Sequence, residues 1–89
     1  MAQAIVDPQE LRQFAAMLKR YSQQIRESTA MLSSAQARLS ESWRDQEHRK
    51  FADEFEEQMK LVNKLLDSGD KHVPYLLKKA EFIDQYLQR

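Results

Sequence analysis

Ser42-Trp43-Arg44-Asp45 is the stretch whose reading decides the fold. It holds the only tryptophan, near the middle of 89 residues, and long helical patterns run into it and out of it. Two helices joined by a short turn make an antiparallel hairpin. Two capping arrangements compete within the four residues. Ser42 can accept at a helix start with Asp45 three residues on, the spacing of a capping box. Asp45 can instead be the N-cap, with Gln46 and Glu47 in the first turn, where negative charge is favoured. Asp45 is the better cap, because it leaves Trp43 and Arg44 to bridge the two helices. Trp43 then either plugs the end of the hairpin or serves as a docking residue, tryptophan being enriched at binding hot spots.

Upstream of the turn, Met1 to Asp7 forms a short tail. Asp7-Pro8-Gln9-Glu10 is a strong helix start: Asp7 caps, Pro8 suits the first helical position, and Glu10 holds the reciprocal capping-box place. Leu11, Phe14, Leu18, Tyr21, Ile25, Leu32 and Leu39 then recur at spacings of three, four or seven, with Ser28 and Ala35 in the weak slots. This is a heptad seam, widened by Met17 and Met31. The first helix is expected over about 8–41, the turn over 42–45.

Downstream, Phe55, Met59, Val62, Leu66, Val73, Leu76, Ala80, Ile83 and Leu87 form one seam, with Gly69 in the remaining slot. A second stripe carries Leu61, Leu65, Tyr75, Phe82 and Tyr86. Two adjacent stripes make a face wider than one neighbouring helix covers. The second helix, about 46–88, is expected to bend near 69–74, because Pro74 removes an amide while the seam keeps its phase. A new helix capped at Asp70 is the alternative. The pattern predicts an all-α hairpin domain over 8–89, completed as a dimer with the Leu61/Leu65/Tyr75/Phe82/Tyr86 stripe as the interface. A lone hairpin with exposed aromatics is the competing reading.

Composition narrows the function. One glycine and two prolines are too few for a turn-rich β fold. Fourteen basic residues balance fourteen acidic ones, so no electrostatic footprint for nucleic acid appears. No cysteine is present, which removes disulfides and thiolate metal sites. No apolar run reaches membrane-spanning length, and Met1 to Val6 lacks the features of a cleavable signal peptide. Glu56 with Lys60 and Asp67 with Lys71 stand at helix-pair spacing. The two histidines, His48 and His72, are too far apart to share a site, and His48 with Asp45 offers two zinc ligands where a structural site needs four. No motif for hydrolysis or nucleotide binding occurs. The reading is a non-enzymatic chain with no cofactor, no metal and no evident small-molecule substrate.

Ser42-Trp43-Arg44-Asp45, followed by a helix with Phe51 and Phe55, resembles the turn of the WXG family of small secreted helical hairpins. These are the early-secreted-antigen-like proteins of type VII secretion. Chain length, central turn and lack of cysteine agree. The resemblance implies a bacterial protein that acts by binding, as an export substrate or as a helical partner of a larger exported protein. Trp43, Arg44 and Asp45 would shape its docking end. Two departures stand out. Asp45 occupies the family's glycine position, and Tyr75 is followed four places on by Lys79 where the family's Tyr-x-x-x-Asp/Glu export signal has an acid. Export would then need a second chain, a homodimer or heterodimer partner of similar shape. The protein would be cytoplasmic and, through that partner, secreted. A cytosolic coiled-coil adaptor or chaperone that is never secreted is the alternative.

Overall fold

The computed structural model describes residues 6–87. Three helices follow in order: α1 (Pro8–Leu39), α2 (Gln46–Asp70) and α3 (His72–Leu87). Asp7 caps α1, its carboxylate accepting from the Gln9 amide at 2.9 Å, and Pro8 opens the helix where no amide is missed. α1 ends at Leu39. The amides of Ser40, Glu41, Ser42 and Trp43 then bond back to the last carbonyls of the helix, including Trp43 to Leu39 at 3.0 Å. These bonds satisfy groups that a helix end otherwise leaves open.

α2 and α3 are almost one helix. Lys71 joins them in right-handed helical geometry, with φ −69° and ψ −19°. Pro74 is the third residue of α3, inside the first turn, where a missing amide costs little. Asp70 does not cap α3. Its carboxylate is turned across the hairpin to Ser22 and Arg26 on α1.

α1 lies back against the α2–α3 rod, giving a body of 68 × 19 × 15 Å. It packs more closely on α3 than on α2, although α3 is the shorter. Three ties cross between the helices. Arg12 pairs with Asp84, Ser22 donates to Asp70 at 2.6 Å, and Arg26 reaches Asp67 at 3.0 Å and Asp70 at 2.6 Å. Between the first two ties lie Ala15 and Ala80, 1% and 0% exposed, whose lack of bulk lets α1 and α3 approach closely.

The α2–α3 seam is the one the spacing indicates. Phe55, Met59, Val62, Val73, Leu76 and Ile83 are half-buried, and Leu66 and Ala80 are buried; Leu87 is exposed. The expected seam on α1 is corrected. Phe14, Tyr21, Leu32 and Leu39 do not face α2 or α3; Phe14 is 56% and Tyr21 60% exposed. The inward row is Leu11, Ala15, Leu18, Ser22, Ile25 and Thr29, followed by Gln36 and Ser40. Leu11, Leu18 and Ile25 keep their expected places, while Ala15, Ser22 and Thr29 take those of Phe14, Tyr21 and Ser28, one residue on, which puts small and polar side chains where the helices touch. Two expected ion pairs are also replaced: Lys60 turns to Glu57 at 3.5 Å, and Asp67 to Arg26.

Candidate functional site

Two features stand apart from ordinary helix packing: the turn and one long apolar face. At the turn, Asp45 is the N-cap of α2, accepting from the His48 amide at 2.9 Å. The cap swings the first turn of α2 so that His48 and Phe51 come up under Trp43. The rings of Trp43 and His48 lie 5.0 Å apart, those of Trp43 and Phe51 5.7 Å, and those of Phe51 and Phe55 6.0 Å. Such tilted and offset pairs are favourable geometries for aromatic rings. His48 Nε2 also sits 2.8 Å from Ser40 Oγ, and Ser40 Oγ itself donates to the Gln36 carbonyl at 3.1 Å. Trp43 is half-buried. Arg44 is exposed, and its Nε donates to the Glu41 carbonyl at 3.0 Å, holding the side chain across the turn.

A shallow polar recess of about 490 Å³ opens beside the turn, lined by Ser40, Glu41, Arg44, Asp45, His48, Arg49, Ala52 and Asp53. It brings a serine and a histidine together, while the Asp45 carboxylate accepts from the His48 backbone amide, so it does not orient the imidazole as a relay requires. Among the described residues no group of three or more His, Cys, Asp or Glu side chains is placed to hold a metal ion.

The apolar face runs along the rod. Leu61, Leu65, Tyr75, Phe82 and Tyr86 are all exposed, Leu65 at 72%. α1 extends this face with Phe14, Met17, Tyr21, Leu32 and Leu39. Tyr21 and Leu65 line one groove of about 300 Å³ together with Leu18, Ser22, Ile25, Val62, Leu66, Gly69 and Asp70. Arg26 lies five residues beyond Tyr21, about 140° round α1 at ~100° per residue, and reaches Asp70 at the edge of this groove. The α1 half of this face was hidden in the sequence by its assignment to the hairpin seam. The seven-residue interval between Phe14 and Tyr21 marks a stripe without saying which side it faces.

A family model described as proteins of 100 residues with WXG matches residues 3–81. The chain belongs to the WXG100 family. Proteins of this family are small helical hairpins associated with type VII secretion, and they typically dimerise. No curated protein and no solved structure matches the chain. Where the WXG motif has glycine, this WXG100 chain has Asp45. Its backbone there is extended, φ −86° and ψ −177°, a conformation open to any residue. No described residue has a positive φ, so the turn makes no demand for glycine and gains a cap from aspartate. No helix among the described residues is long and apolar enough to cross a membrane.

Proposed function

We propose that this WXG100 chain is a non-enzymatic protein-binding hairpin of a type VII-like secretion system, acting as an export substrate or as the helical partner of a larger exported protein. One observation carries the reading. Among the described residues only Ala15, Leu66 and Ala80 are buried apolar side chains, while many large ones, Phe14, Tyr21, Leu61, Leu65, Tyr75 and Tyr86 among them, are exposed. A patch of this kind marks an interaction surface. A core made of two alanines and one leucine supplies little of the burial that offsets chain entropy.

The turn is the second contact point in this proposal. Trp43 offers a stiff aromatic surface backed by His48 and Phe51, and Arg44 stands beside it with a guanidinium suited to a carboxylate. The test is export and complex formation together. The tagged chain is followed in culture filtrate of wild-type cells and of cells lacking the secretion ATPase, and its complexes are isolated before export. Filtrate material that depends on the ATPase, and a stoichiometric helical complex inside the cell, support the proposal. A chain that stays inside wild-type cells in a stable complex is an adaptor, and the export reading falls.

A further inference from the structure

We propose that the outward side of the α2–α3 rod, turned away from α1, is a docking strip for an acidic amphipathic helix of another protein. The inference goes beyond the reading above and uses a different surface. Lys64, Lys71 and Lys78 recur every seven residues. They therefore stand in a line, about 10.5 Å between neighbours at ~1.5 Å per residue. Counted at ~100° per residue, Lys64 and Lys71 lie about 160° and 140° round from the buried Leu66, and Lys78 about 160° round from the buried Ala80. All three are exposed, and among the described residues none of them forms an ion pair.

The strip is basic because the acids near it are engaged elsewhere. Between Leu61 and Leu87 the acids are Asp67, Asp70, Glu81 and Asp84. Asp67 and Asp70 turn to Arg26 on α1, and Asp84 turns to Arg12. Glu81 stands about 100° round from Ala80, off the line. A chain with no net charge thus presents a row of unmatched cations on one side. Opposite charge on a partner would be drawn to it.

Rings alternate with the lysines. Tyr75 comes four residues after Lys71 and Phe82 four after Lys78, while Ser68 takes the same place after Lys64. Tyr75 is 62% and Phe82 60% exposed, and Lys78 Nζ lies 5.9 Å from the centre of the Phe82 ring, within cation–π reach. A helix with Asp or Glu at every seventh position, and apolar side chains four places after each, has the same rise and meets each lysine and ring in turn. A nucleic acid strand, charged about every 3.4 Å, does not share that interval.

The probe is an alanine-based helical peptide with glutamate at every seventh position and leucine four places after each. Anisotropy of a label on the peptide reports its binding to the whole chain. It should bind, and more weakly as salt is raised. Lys64→Gln, Lys71→Gln and Lys78→Gln together should weaken binding roughly tenfold, the sum of three surface ion pairs, with helical circular dichroism retained. Lys19→Gln, on α1, should leave binding unchanged. Lys71→Glu alone should favour a peptide with lysine in place of the central glutamate. A peptide of the same composition, its glutamates moved off the seven-residue register, should bind clearly less well. Equal binding of the two peptides overturns the proposed match and leaves general attraction of opposite charges. Binding to phosphatidylglycerol vesicles with none to the peptide overturns the helix in favour of a lipid surface. Binding to neither overturns the strip as a docking site.

Discussion

Ser40 Oγ and His48 Nε2 stand 2.8 Å apart, closing the turn from the side opposite its backbone bonds. The bond links the end of α1 to the first turn of α2, and Trp43 lies against the same imidazole. His48→Ala removes both supports. The expected cost is about 1 kcal/mol, the size of one net hydrogen bond. Trp43 fluorescence, with no second tryptophan to confuse it, should shift to longer wavelength as the ring gains water. An unchanged emission maximum would show that the backbone alone holds Trp43.

Leu66 is the one large buried apolar side chain, and Leu66→Ala is expected to cost ~2–5 kcal/mol. Phe14→Ala should behave differently. It removes a ring that touches no core, so at low concentration, where the chain is unpaired, melting should hardly move. At high concentration the variant should lose the stabilisation that pairing gives the parent. Melting curves taken over a hundredfold range of concentration separate the two effects.

Acid should loosen the tie between α1 and the α2–α3 junction. The hydrogen bond from Ser22, then the Arg26 guanidinium, hold the Asp70 carboxyl below its ordinary range. Hydrogen bonds to Asp70, then to Asp67, keep Arg26 charged to still higher pH than usual. A carboxylate with a lowered folded pKa stabilises above its unfolded value, about 3.9, and that contribution is lost as pH falls through the folded value. Asp70→Asn should therefore be less stable than the parent at pH 7, with the gap narrowing below pH ~4. A gap constant from pH 7 to pH 2 would assign the tie to neutral hydrogen bonding.

Trp43→Phe and Arg44→Ala divide the turn's two roles. Arg44 spends one hydrogen bond on the Glu41 carbonyl at the surface, so Arg44→Ala should change stability by under ~1 kcal/mol. Trp43→Phe keeps an aromatic ring over His48 and should lower stability modestly. If the turn docks a partner, both variants lose that complex at near-parental melting temperature. Full retention of the complex by both would confine the turn to a structural role.

The helical hairpin, both N-caps and the α2–α3 seam were legible from spacing and local chemistry. Asp7-Pro8 and Asp45 act through neighbours two or three residues away, and such short-range bonds are written directly in the sequence. The α1 seam was legible only in Leu11, Leu18 and Ile25. Phe14 and Tyr21 draw the eye to the wrong row, because large apolar residues are taken to be interior. In a two-helix body the interior is a thin line, and Ala15 and Ser22 fill it better. What recruits Ser22 is Asp70, 48 positions away, a pairing that no local pattern reveals. The outward stripe of Leu61, Leu65, Tyr75, Phe82 and Tyr86 was visible as surplus width, but its extension across α1 needed the corrected rotation of that helix.

An interior with only three buried apolar side chains among the described residues also bears on how a cell can keep count of this protein. A surplus copy, with its apolar flank uncovered, opens more often than a covered one, and the opened form is what proteases cut. Supply and clearance are then matched through folding itself. If a partner covers that flank as proposed, copies made beyond the available partners would be cleared, and the level of the complex would follow its scarcer member without a dedicated regulator.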